Sequence, residues 1–282
     1  MKIITNSKIS AVYFALLQCG YDFFNIERSK EHIDTLKRFI STAQCPKFFN
    51  EVRQNTCEVY PYWSRAFLLE VASHFIDDAS LEYRNFDLFK EKVFSASNIS
   101  DAERGEAFWD WIVRFPEALS TIMKSKRFAK YVVFVKQWVE DQNAVHKDEL
   151  DLVQNCLEIC TERYGSTIRD IEICLDPIKC VYSSDYTLLD SRFIFTSGAF
   201  RADAVVHEFL HHVVHPYIEK SSAKVLAAKQ KWNDLDESYY LSGDDAGILN
   251  AFEEHTVRVL SADILACKYP HDLNEYILLD HH

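Results

Sequence analysis

The sequence predicts an α+β protein, mostly α-helical, and three observations carry that prediction. Gly and Pro number only six each in 282 residues, which suits long helices better than a turn-rich β architecture. Apolar residues recur at helical spacing through the first 165 residues. After Gly165 the pattern shortens to brief alternating runs, then becomes helical again. Residues 1–165 thus read as a helical domain. Residues 166–282 read as a second domain, in which a small mixed or antiparallel sheet precedes the helix of the candidate site.

The elements follow in order. Residues 9–20 form a mildly apolar run behind Lys2 and Lys8, the outline of a secretion signal. Gln18 precedes Cys19 where a lipoprotein signal needs a small residue, and no small-x-small cleavage site follows. Val12, Leu16, Cys19 and Phe23 recur at helical spacing, so an amphipathic helix is expected instead. Ile33, Leu36, Phe39 and Ile40 mark a second helical face, and Phe67, Leu68, Val71, His74 and Phe75 a third. Phe108, Trp109, Trp111 and Ile112, and then residues 131–139, supply further apolar stripes, read as core packing between helices. Leu150, Val153, Leu157 and Cys160 step by three, four and three, and Gly165 is placed to stop that helix.

Strands are expected over residues 168–174, 179–183, 186–189 and 191–196, separated by Pro177, Ser184-Asp185 and Asp190. A helix then begins near Phe200 and is expected to stop at Pro216. After a break over residues 243–247, residues 248–268 read as one more helix.

Composition narrows the function classes. A hydrophobic share of 48% with 14% aromatics is that of a folded, globular chain. The net charge of −12, with no basic run, argues against a nucleic-acid surface. No segment approaches the ~20 apolar residues of a membrane span. None of the eight cysteines forms a CxxC pair, so a four-thiolate metal site is not expected. Cys156 and Cys160, one helical turn apart, read as packing thiols. Together these features predict a soluble, cytoplasmic protein. The terminal His281-His282 is given no role.

The chemistry concentrates at His207-Glu208-Phe209-Leu210-His211. On a helix, residues four apart share a face, so two imidazoles can hold one ion, each at ~2.0–2.1 Å. Glu208 stands where a general base reaches a metal-activated water. Ala204, Val205, Val206, Phe209, Leu210 and Val213 frame the motif with apolar residues. His212 points off the metal face and reads as packing. His215 lies ~12 Å along the axis from His207, too far to share its ion, and reads as packing or support for a ligand.

Two histidines leave a catalytic Zn2+ one protein ligand short. Val214 and Tyr217 exclude the longer HExxHxxGxxH arrangement. Glu253 and Glu254, on the last helix, are the candidates. Glu253 lines up with Val257, Leu260 and Ile264 on the apolar stripe, and Glu254 lies one residue further round. Asp244 or Asp245 is a further alternative. Residues 233–257 hold seven acids, Asp234, Asp236, Glu237, Asp244, Asp245, Glu253 and Glu254, with no Lys or Arg, and read as a solvated loop, or as an attractor of basic peptide.

With these residues the chain resembles the gluzincin-type zinc metallopeptidases, over about 60 residues ending near Leu265. The stretch from His207 to Pro216 is also similar to an uncharacterised bacterial group with a HEFxHxxVxP-like motif. The resemblance implies a zincin-like region, with His207, His211 and Glu254 holding Zn2+ and Glu208 acting as base and proton shuttle. It implies peptide or protein substrates and a donor that stabilises the oxyanion, for which Tyr239, Tyr240 and His271 are candidates and Tyr240 is favoured. In such enzymes an edge strand often binds the substrate backbone, a part that residues 192–196 are expected to play. Arg258 departs from the family, which commonly places an Asp four residues after the third ligand; Arg258 is expected to pair with Asp203 or another carboxylate. Two other readings stand beside a general peptidase. One is a regulatory protease specific for a single partner protein. The other is a helical binding protein with a structural or vestigial zinc.

Overall fold

A computed structural model describes residues 1–20, 30–39, 46–52, 64–96, 108–179, 181, 184–228 and 245–274. Tyr239, Tyr240, Asp234, Asp236, Glu237, Asp244, Phe23, Ile40 and the terminal histidines lie outside the described residues. The architecture is α+β and mostly helical, with a small four-stranded mixed sheet among the described residues. Contacts between residues gather the chain into two compact units. One holds Ile3–Ala144 and Ile171–Ala199; the other holds Met1–Lys2, Val145–Asp170 and Phe200–His282. This grouping follows a different line from the 165/166 boundary drawn on pattern, because the strands gather with the earlier helices.

In the first unit, α1 (Ser7–Gln18) starts where the Asn6 side chain accepts hydrogen bonds from the Lys8 and Ile9 amides, at 3.1 and 3.2 Å. The amphipathic helix expected here is instead buried on every side from Lys8 to Gln18. Only Lys8, Ser10 and Gln18 among those residues are polar, and a helix apolar all round belongs inside a core. The Lys8 ammonium is accommodated by the Ile76 carbonyl at 2.6 Å and the Asp78 carboxylate at 2.7 Å. Burial lowers its pKa, while Asp78 works in the opposite direction.

Next come α2 (Lys30–Lys37), α3 (Ser64–Glu70), a π turn over Val71–Phe75, and α4 (Phe86–Ala96). The stripe Phe67, Leu68, Val71, His74 and Phe75 is buried, as its spacing predicts. Trp111 stacks on Phe48 with ring centroids 4.8 Å apart, which places that aromatic segment in the core. Then follow α5 (Phe115–Met123) and α6 (Lys126–Val145), which buries Phe128, Tyr131, Val135 and Val139 along one face.

The sheet has the strand order β1 (Ile3–Ile4), β2 (Asp170–Leu175), β4 (Arg192–Ser197), β3 (Asp185–Leu189). β1 runs parallel to β2, with Ile3 opposite Ile173. β3 runs antiparallel to β4, with Asp185 opposite Thr196 and Leu189 opposite Arg192. Asp190, at φ 54°, turns the chain between them. The expectation that residues 192–196 form an edge strand is overturned: β4 lies between β2 and β3. Phe193, Ile194 and Phe195 are all fully buried, so both faces of the strand are covered. In the expected strand over residues 179–183, Lys179 lies in a bend and Val181 in a turn; the other three lie outside the described residues.

The second unit holds α7 (Lys147–Tyr164), α8 (Ala202–Ala228) and α9 (Asp245–Leu265), and α8 packs against both of the others. Asp148 and Glu149 in the first turn of α7 and Arg163 in the last complement its dipole. The predicted stripe Leu150, Val153, Leu157 and Cys160 is buried. Gly165 ends the helix in the left-handed region, at φ 70°. Cys156 and Cys160 are buried thiols outside any disulfide, and burial pushes the Cys160 pKa up to about 12.

α8 departs from expectation at its far end, where it runs through Pro216 to Ala228. An interior proline removes one backbone bond and crowds the carbonyl four residues back, a cost of about 3 kcal/mol. The turns beyond it bury Ile218 and Val225, and that packing offsets the cost.

Candidate metal centre

α8 and α9 together build the cluster. On α8, Val205, Val206, Phe209, Leu210 and Val214 are buried, which fixes the helix rotation and sets His207 and His211 along its half-buried side. On α9, buried Phe252, Val257, Leu260 and Ile264 set the rotation, bringing Glu253 and Glu254 to the same place.

The geometry is close. The Nε2 atoms of His207 and His211 are 3.2 Å apart. Glu254 brings Oε1 to 3.2 Å from His211 Nε2 and Oε2 to 3.6 Å from His207 Nε2. One ligand atom from each of His207, His211 and Glu254 can be chosen so that all lie within 4.8 Å of one another, so the group can hold a metal ion. A tetrahedral ion with bonds of ~2.0–2.1 Å has ~3.3–3.4 Å between its ligand atoms. The donor atoms therefore already stand at roughly the edge lengths of a coordination tetrahedron.

Glu253 is not in that group. Its Oε1 accepts from His211 Nδ1 at 2.9 Å, and its Oε2 lies 2.7 Å from His215 Nδ1. His215 Nε2 in turn lies 3.3 Å from Glu219. On sequence Glu253 is a candidate ligand or part of a solvated helix start, and not a partner for a ligand histidine. Its alignment with Val257, Leu260 and Ile264 was the available signal that it sits deeper than Glu254.

The electrostatics couple the two helices through the histidines and glutamates. Burial opposes a charged His211, but hydrogen bonds to Glu253 and Glu254, and their charge, hold its pKa up at about 9. Burial likewise raises Glu254, yet His207 and His211 pull it down to about 2. Two carboxylates thus stand against the histidine pair, with Glu254 beside both Nε2 atoms and Glu253 at His211 Nδ1. Such a nitrogen and oxygen donor set fits a divalent ion.

Glu208 follows His207 on α8 and is half-buried. Asp245 is the exposed first residue of α9, and His271 is exposed beyond its end. Tyr239 and Tyr240 fall outside the described residues, so the structure does not place the favoured Tyr240. Asp203, offered as a partner for Arg258, pairs with Arg201, whose Nε lies 3.2 Å away. Arg258 is exposed.

The other side of α8 carries a separate feature. Nine residues, about two and a half turns, separate Pro216 from His207, which puts them on opposite faces. There a cavity of about 390 Å³ is lined by Tyr164, Thr167, His212, Pro216, Tyr217 and Lys220, among others. His212 Nε2 lies 3.3 Å from Thr167 Oγ1, so its contacts are on that side and not at the metal cluster.

No helix among the described residues is long and apolar enough to cross a membrane. Comparison with protein-family models, curated proteins and solved structures finds no match to the chain.

Proposed function

We propose that the protein is a zinc-dependent metallopeptidase. One observation carries the reading: an HExxH helix and a second-helix glutamate converge so that His207, His211 and Glu254 can share one ion. Three protein donors leave a tetrahedral ion one further position, the pattern of catalytic rather than closed structural sites. A zinc ion there supplies Lewis acidity and makes water a usable nucleophile near neutral pH. Glu208, following the first ligand, takes the proton from the attacking water and passes it to the departing amine. Tyr240 is the favoured donor to the carbonyl oxygen as negative charge develops there. The resemblance to gluzincins supports peptide or protein as the substrate.

The test is elemental analysis of untagged wild type, His211→Ala and Glu254→Ala, with turnover measured on a peptide library. The expected result is about one zinc per chain in wild type, lost in both variants. Glu208→Gln keeps the metal and loses at least ~10²-fold in turnover. No metal in wild type after reconstitution, iron in place of zinc, or full activity in Glu208→Gln overturns the proposal.

A further inference from the structure

We propose that Glu253 and His215 are positioning residues for the metal centre. In this arrangement the chain His211–Glu253–His215–Glu219 fixes how His211 presents itself to the ion. The inference rests on the metal-site reading above and concerns residues that bind no ion themselves.

A ligand histidine has two ring nitrogens, and only one can face the metal. His211 Nε2 lies beside His207 and Glu254, so Nδ1 must carry the hydrogen, which requires an acceptor. Glu253 Oε1, at 2.9 Å, is that acceptor. This leaves the Nε2 lone pair directed at the other donors and stops the ring from turning about its bond to the helix.

His215 acts one step further out. It lies 2.7 Å from the second oxygen of Glu253, so both carboxylate oxygens are engaged by histidines of α8. His211 and His215 are four residues apart, one above the other on one helix face, and Glu253 spans them. A carboxylate held at both oxygens cannot swing toward the ion. That is why Glu254, with its oxygens 3.2 and 3.6 Å from the two Nε2 atoms, is the donor and its neighbour is not. His215 is 56% exposed and Glu219 70% exposed, so the chain ends in solvent and its outer members can be changed without opening the core.

The test measures Zn2+ dissociation constants by chelator competition, together with the melting temperature of the metal-free protein. The proteins are wild type, Glu253→Gln, Glu253→Met and His215→Ala. Met fills the volume of Glu253 without an acceptor, whereas Gln keeps an oxygen for His211 and an amide for His215. Loss of such a partner weakens metal binding roughly 10–100-fold. That loss is expected in Glu253→Met, with recovery to within about tenfold of wild type in Glu253→Gln, and a smaller loss in His215→Ala. The visible spectrum of the Co2+-loaded proteins should lose its tetrahedral character in Glu253→Met and keep it in Glu253→Gln.

Wild-type affinity in Glu253→Met overturns the role of Glu253, and wild-type affinity in His215→Ala overturns that of His215. Equal losses in Met and Gln, with lower metal-free melting temperatures, would make Glu253 a packing residue and also overturn the proposal. A wild type that takes up no zinc overturns the metallopeptidase reading itself, which separates the two failures.

Discussion

His74 should make the first unit sensitive to mild acid. It is 6% exposed in the π turn after α3, and its Nε2 lies 3.0 Å from Thr187 Oγ1. Burial, reinforced by the positive charges of Arg192, Arg84 and Lys8 and opposed only weakly by Asp190, lowers its pKa from 6.5 to about 4. Below pH 6.5 the unfolded chain takes up a proton that the folded protein refuses until about pH 4. The unfolded state therefore binds more protons in that window, so stability rises with pH and is lost as pH falls. Each pH unit across the window is worth about 1.4 kcal/mol. The His74 contribution is then a loss of about 1 kcal/mol at pH 5.5, growing to about 2–3 kcal/mol at pH 4.5. Urea unfolding of wild type and His74→Gln at pH 7, 5.5 and 4.5 measures it, because Gln keeps a polar group near Thr187 and cannot titrate. The two proteins should converge in stability, or Gln overtake, as the pH falls. Parallel pH profiles for the two would refute the reasoning.

Three further outcomes follow from the second unit. Gly165→Ala meets no atom within 4 Å at its new Cβ, so the only penalty is an L side chain at φ 70°; thermal melting should report a loss of about 1 kcal/mol. Pro216→Ala restores an amide donor inside α8, worth about 3 kcal/mol, and lets the unfolded chain regain up to about 1 kcal/mol of freedom. A net gain of about 2 kcal/mol in urea unfolding is expected, and no gain would mean that the helix had already adapted to the proline. Zinc at 100 times its dissociation constant should stabilise the protein by about 2.7 kcal/mol, and a chelator should remove that increment, as scanning calorimetry would show.

Local pattern carried much of this fold. The stripe of α7, its stop at Gly165, and the burial of Phe67, Leu68, Val71, His74 and Phe75 follow from spacing alone, because a helix face is set by residues three and four apart. The motif from His207 to His211 was legible for the same reason: both imidazoles lie on one helix, and helical geometry sets their separation. Other features depend on what lies across from a segment. The short apolar run of residues 192–196 identifies a strand but not its neighbours, although Phe193-Ile194-Phe195 in succession is itself a sign of burial on both faces. Pro216 marks a stop by its chemistry, yet α8 continues because later turns bury Ile218 and Val225. β1, two residues long, has no pattern of its own and exists only through pairing with β2.

The division at the metal cluster is the same. By itself the sequence determined that this chain is mostly helical, that His207 and His211 share a helix face, and that two adjacent glutamates on a later helix are candidates to join them. Only the tertiary structure shows which glutamate stands beside both Nε2 atoms, because Glu253 and Glu254 differ by one residue and either can turn toward α8. The packing of Phe252, Val257, Leu260 and Ile264 fixes the rotation of α9. That rotation directs Glu254 to the two Nε2 atoms and Glu253 to the backs of His211 and His215. Periodicity fixes relations within one helix; the angle at which two helices meet comes from the side chains packed between them.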